Sequence, residues 1–238
     1  MSGHSKWANI KHRKAAQDAK KGKVFTKLIK EITVAARQGG GLPEHNPKLR
    51  LLLEKARQVN MPVDNSTRAI KKGTGELPGV AYEEHTYEGY GPHGIAVIVE
   101  VLTENKNRCV AELRKMFTLK GGVLGDSGSV AWMFDRLGVI QIKRENLSED
   151  DLLETLIDFD IKDIKVQNDG ALITCEIKQL EMVKKVLSDK GLTIESAEIE
   201  WVAKNPVDLD EAAGTKVMEF VDYIEELDDV QDVYTNME

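Results

Sequence analysis

Apolar positions recur every three or four residues through the first third of the chain. Beyond about residue 79 they give way to alternation and short continuous apolar runs. Phe25, Leu28, Ile29, Ile32 and Ala36 share one face of a predicted helix, which Gly39-Gly40-Gly41 ends and Pro43 keeps ended. Asn46-Pro47 predicts the next helix start, because an Asn side chain caps and a proline at the first helical position needs no N–H partner. Leu49, Leu52, Leu53, Ala56 and Val59 form its apolar stripe. Met61-Pro62 breaks the chain, and Asp64 or Asn65 is then expected to cap a short helix through Lys72, closed by Gly73. Residues 1–8 lack periodicity and read as an arm, followed by a short helix from about Asn9 to Lys21.

Leu77-Pro78-Gly79 reads as a linker. Tyr82 to Tyr87 and Ile95 to Leu102 are predicted strands, joined by a turn over Gly89 to Gly94. That turn matches GxGxxG by letter, but it precedes a strand and contains Pro92, so a dinucleotide site is rejected. Arg108 to Lys120 reads as a helix, Gly125 to Ser129 as a loop and Val130 to Phe134 as a strand. The glycine-rich loop lacks the Lys-Ser/Thr pair of a phosphate-binding P-loop. From Gly138 the order is strand (139–142), helix capped at Ser148, strand (161–166), strand (171–175), helix (180–187), strand (194–202). This is the βαββαβ order of a ferredoxin-like unit. Asp208 to Leu227 reads as a helix and Val230 to Val233 as a final strand.

The expected class is therefore α+β with three domains: an N-terminal helical bundle and two ferredoxin-like α/β domains, one inserted in the other. The expected boundaries are 1–78, 79–137 with 204–238, and 138–203 inserted. The tail from residue 204 has two possible homes, the split domain or the inserted unit.

Charge changes the picture of the helical part. The chain carries a net charge of -7, yet its first thirty residues hold nine Lys or Arg and one acid. Through Gly75 there are 17 Lys+Arg against 5 Asp+Glu, leaving 16 basic and 35 acidic residues for the remainder. Such a division suggests that one end meets a polyanion, because a row of cations releases condensed counterions from phosphates whatever the base sequence. The candidate nucleic-acid contacts are Lys6, Trp7, Lys11, Arg13, Lys14, Lys20, Lys21, Lys23, Lys27, Lys30 and Arg37. Lys23, Lys27, Lys30 and Arg37 form a stripe beside the apolar face, suited to a phosphate backbone. Trp7 is a candidate for stacking on a base or for anchoring the arm.

The remaining chemistry is sparse. Cys109 and Cys175 are isolated, and none of the five histidines has metal-ligand spacing. There is no GxSxG and no HExxH, so no catalytic residue, metal or cofactor is assigned. Acid pairs such as Asp150-Asp151 and Asp228-Asp229 lie at helix ends, where capping or solvation explains them. The strands matching the base-stacking strands of an RNA-recognition motif, 139–142 and 171–175, carry no aromatic residue. No apolar run approaches about 20 residues, and the basic N-terminus has no apolar segment behind it. The protein is therefore expected to be cytoplasmic, with no membrane and no small-molecule partner.

Several stretches together resemble the YebC family. They are Gly3-His4-Ser5-Lys6-Trp7 with Ile10 to Lys14, Tyr87 to Pro92 leading into Ile95–Leu102, Asn105 to Arg108, and Gly128-Ser129-Val130 ending in Trp132-Met133-Phe134. The likeness runs nearly end to end. It implies an N-terminal helical domain, two α/β domains and a non-enzymatic regulator, described for bacterial relatives as DNA-binding and transcriptional. It also implies an alternative, a ribosome-associated translation factor acting on ribosomal RNA, because relatives activate mitochondrial translation or act on ribosomes stalled at proline-rich stretches.

Overall fold

The amphipathic stripes in the first third of the chain do form helices. A computed structural model describes residues 21–143, 148–167 and 170–238. Helix α1 (Lys21–Gly39), α2 (Pro47–Gln58) and α3 (Val63–Thr74) bury Leu28, Ile32, Ala35, Leu49, Leu52, Ala56, Met61 and Ala69 in one core. The helix expected from Asn9 lies outside the described residues apart from Lys21.

Asn46 joins two of these helices. Its carboxamide oxygen accepts from the Leu49 amide at 3.0 Å, capping α2. Its nitrogen donates to the carbonyls of Ala35 and Gly40, each at 2.8 Å, closing the end of α1.

Helix α3 differs from expectation at both ends. It starts after Pro62, without a side-chain cap, and ends at Gly75, whose φ is +85°. Gly73 lies inside it. A Cβ there would sit 2.4 Å from the Thr33 carbonyl oxygen, so this glycine permits a close approach to α1 instead of ending the helix.

The described residues divide into two compact units, one running up to Val130 and resuming at Val207–Glu238, the other Ala131–Pro206. In the first, β1 (Glu83–Tyr90) turns through Pro92–Gly94 into β2 (Ala96–Thr103). Helix α4 (Lys106–Leu119) leads to a two-residue strand, β3 (Val123–Leu124), which no sequence signal announced. After the second unit, α7 (Glu211–Glu225) leads to β8 (Val230–Thr235). The antiparallel order is β3-β1-β2-β8, with β8 paired to β2. Helices α4 and α7 cover one face, where Phe117 meets Phe220 edge-on at 5.0 Å over Val97, Val99 and Val101. Their caps are Asn105, accepting from the Arg108 amide, and Asp210, accepting from the Ala213 amide.

The second unit runs β4 (Phe134–Lys143), α5 (Glu149–Thr155), β5 (Ile161–Gln167), β6 (Gly170–Cys175), α6 (Leu180–Asp189), β7 (Thr193–Ala203). Its order, β5-β6-β4-β7, puts the first and third strands at the centre, the ferredoxin-like arrangement. Ile140, Ile142, Ile164, Ile173, Leu152, Leu156, Val183 and Leu187 form its core. The first unit reaches the same arrangement, four antiparallel strands under two helices, by a different chain path: β1 runs directly into β2.

One predicted strand is corrected. Ala131–Met133 form a 3₁₀ turn in place of a strand over Val130–Phe134, and β4 then runs unbroken through Gly138. The apolar run misleads because Val130 is buried while Trp132 is exposed. Gly138 lies within β4; a Cβ there would meet the Leu180 side chain at 3.0 Å, so it lets α6 lie close on β4.

Candidate nucleic-acid interface

A lysine on a helix reaches a phosphate only if its ammonium group is not already engaged. Lys6, Trp7, Lys11, Arg13, Lys14 and Lys20 lie outside the described residues, and of Lys21 only the backbone, at the start of α1, is described. Arg37 is exposed and donates to the Val80 carbonyl at 3.3 Å.

The other three lysines of the α1 stripe do not form an open face. Each turns toward the α7–β8 segment, about 200 residues later in the chain. Lys23 donates to the Glu226 carboxylate and to its carbonyl at 3.1 Å. Lys27 donates to the Gln231 carbonyl at 3.1 Å. Lys30, 7% exposed, donates to Asp229 Oδ1 at 2.7 Å, to the Asp228 carbonyl at 2.8 Å and to the Leu102 carbonyl at 3.4 Å. Its ammonium also lies 5.5 Å from the centre of the Tyr82 ring. Three acceptors match the three protons of an ammonium group, so this side chain is saturated.

Asp229 is the hub of the contact and is 3% exposed. Its Oδ2 accepts from Thr103 Oγ1 at 2.9 Å and from the Arg108 guanidinium at 2.8 Å, while Arg108 also holds Glu104 at 3.0 Å. Burial pushes the Asp229 carboxyl up, but hydrogen bonds from Lys30, Arg108 and Thr103 outweigh it and hold the group below the ordinary carboxylate value. The bond to Asp229, with that to Glu104, raises the Arg108 guanidinium further above its ordinary value. The reading of Asp228-Asp229 as a solvated helix end is corrected: Asp229 is a buried ion-pair partner, and its neighbour supplies a carbonyl. Nothing in the local sequence signals this, because both cations come from distant elements.

A second buried carboxylate organises the glycine-rich loop. Glu88, 6% exposed, accepts from the Gly128 amide at 2.7 Å and the Val130 amide at 2.8 Å, and its carbonyl accepts from the Gly125 amide at 2.8 Å. Amides that would cradle a phosphate are thus filled by the protein's own anion.

Besides Arg37, open cations of the helical region lie on the other two helices. Arg50, Arg57, Arg68, Lys71 and Lys72 are exposed, and none forms an ion pair with another described residue. Lys48 is paired with Glu84 at 2.8 Å. Among the described residues, no three His, Cys, Asp or Glu side chains converge as for a metal ion. No described helix is long and apolar enough to cross a membrane.

Comparison with known proteins bears on this arrangement. Residues 5–76 match the model of the TACO1/YebC protein N-terminal domain, and residues 82–237 match that of the TACO1/YebC second and third domain. The chain belongs to the TACO1/YebC family. A relative from Chlorobaculum tepidum, named a probable transcriptional regulatory protein, is 51% identical over 100% of this chain and 95% of its own. One of the same name from Dictyoglomus turgidum is 50% identical over 100% and 96%. The crystal structure of a conserved hypothetical protein from Aquifex aeolicus superposes with a TM-score of 0.83 at 45% identity, covering 93% of this chain and 91% of that one. The names of these relatives support a family of regulators.

Proposed function

We propose that the protein is a non-enzymatic regulator that binds nucleic acid through its basic N-terminal region and acts on transcription by binding DNA. One observation carries the reading: 17 Lys+Arg against 5 Asp+Glu through Gly75, in a chain otherwise strongly acidic. Cations gathered at one end bind phosphates, and the acidic remainder repels stray polyanion and confines contact to that end. The names of the relatives support regulation of transcription as the setting.

The proposed contacts are Lys6, Lys11, Arg13, Lys14, Lys20, Lys21 and Arg37, with Trp7 stacking on an unpaired base. Lys23, Lys27 and Lys30 are given a different role. They hold the helical region to the α7–β8 segment, and Lys30 is too deeply engaged to meet a phosphate.

The test compares binding to promoter duplexes with co-sedimentation on 70S ribosomes, both at physiological salt. Duplex binding that weakens with salt, and no retention on ribosomes, is the expected result. Retention on ribosomes with only weak, sequence-blind duplex binding moves the target to ribosomal RNA and overturns the transcriptional reading. Replacing Lys6, Lys11, Arg13 and Lys14 with Ala should weaken binding to all sequences alike and flatten its salt dependence, while the far-UV spectrum stays unchanged.

A further inference from the structure

With the α1 lysines engaged, the open positive surface of the described helical region lies elsewhere. On α3, Ser66 and Ala69 are buried, Ile70 packs on the helical core and Gly73 lies directly on α1. Arg68, Lys71 and Lys72 fall on the opposite, exposed side. They stand at i, i+3 and i+4, so Arg68 and Lys72 are about 6 Å apart along the helix axis. On α2, Leu49, Leu52 and Ala56 are buried, while Arg50 and Arg57 are exposed and seven residues apart, two turns along the helix.

Helix electrostatics does not account for this set. Lys71 and Lys72 lie in the last turn of α3, where cations complement the helix dipole. Arg68 is in mid-helix. Arg50 lies near the N-terminus of α2, where a cation opposes the dipole. None of the five forms an ion pair with a carboxylate among the described residues.

We propose that the outer face of α3, formed by Arg68, Lys71 and Lys72, is a contact surface for the sugar-phosphate backbone of nucleic acid. The inference rests on the nucleic-acid reading above and deepens it by naming a surface within the folded helices. Charge complementarity sets the occupant. Phe25, the one aromatic residue of α1–α3, packs against the helical core, so this face has no ring on which to stack a base. Contact here is to phosphates and carries no base preference. The close approach at Gly73 holds α3 on α1 and presents the three cations from a fixed scaffold.

The test uses the full chain with Arg68, Lys71 and Lys72 each changed to Gln, which removes the charge and keeps helix propensity. Binding to a fluorescein-labelled 30-base-pair DNA duplex and to an RNA hairpin of equal charge is measured from 50 to 300 mM salt. A control removes three charges elsewhere, at Lys143, Lys178 and Lys190, all exposed. A second control changes Lys23 and Lys27 to Gln. The α3 variant is expected to lose at least tenfold in affinity at low salt, and its slope of log K against log salt on DNA to fall by about 2.7, or 0.9 for each phosphate contact. The two arms show which polymer is preferred. Both controls should keep the slope of the unchanged chain. An α3 variant indistinguishable from the unchanged chain, or a matching slope loss in either control, overturns this surface while leaving the wider reading intact. No binding of the unchanged chain to either polymer overturns the nucleic-acid reading itself.

Discussion

Lys30 on α1 and Asp229 before β8 form a buried ion pair at 2.7 Å, with side chains 8% and 5% exposed. Taking two charges out of water is costly, and the pair is tolerable here because both groups make further hydrogen bonds: Thr103 and Arg108 on the carboxylate, two carbonyls on the ammonium. The pair couples the helical region to the first sheet, so its loss reaches both.

Breaking one side leaves an uncompensated buried charge. Asp229→Asn strands Lys30 beside Arg108 and is expected to cost about 3–5 kcal/mol. Lys30→Met should cost less, because Thr103 and Arg108 still hold the carboxylate. Urea midpoints of the two variants and of the double variant measure both costs and their coupling. Two single variants that each unfold at the midpoint of the unchanged chain would show that the pair contributes nothing.

The same carboxylate predicts an acid dependence. Its folded pKa lies below the unfolded value, about 3.9. Stability from such a group is fully present above the unfolded pKa and is lost as pH falls through the folded one. The unchanged chain should therefore lose stability below about pH 4 more steeply than Asp229→Asn. Parallel acid limbs in the two proteins would count against this assignment.

Glu88 should control the loop it fills. Glu88→Gln keeps one carbonyl acceptor but loses the charge that strengthens two amide hydrogen bonds. Faster hydrogen exchange at Gly128 and Val130, with little change at the Val97–Val101 amides of β2, is the expected signature. Unaltered exchange at the two loop amides would show that the loop holds its shape without the carboxylate.

Both thiols should be silent in the folded protein. Burial pushes Cys109 up to about 12, helped by Asp229 and Glu112, and pushes Cys175 up to about 11, helped by Glu176. The thiolate is the reactive form. At pH 8 an aromatic disulfide reagent should label neither residue until denaturant is added, and then both. Rapid labelling of native protein at either position would contradict the burial.

Much of the element pattern follows from local chemistry and could be read directly. The Asn46 and Ser148 caps act within three residues of themselves, and the α1 and α2 stripes are periodic on the scale of one or two turns. Reading fails where a residue's role depends on something distant. Gly73 resembles a stop signal until α1 is seen lying on it. Val130–Phe134 resembles a strand until Trp132 is seen in solvent.

The charges divide along the same line. Composition alone determines that one end of this protein is cationic and the rest anionic, because charge is a property of each residue wherever it lies. It cannot determine which cations remain available. Lys23, Lys27 and Lys30 look like an open stripe along α1, yet their acceptors lie 203, 204 and 199 residues away. Only the folded chain brings Glu226, Asp229 and Gln231 to them, and a Coulomb contact between such distant residues is encoded by the packing of α1 against the α7–β8 segment and by no local pattern.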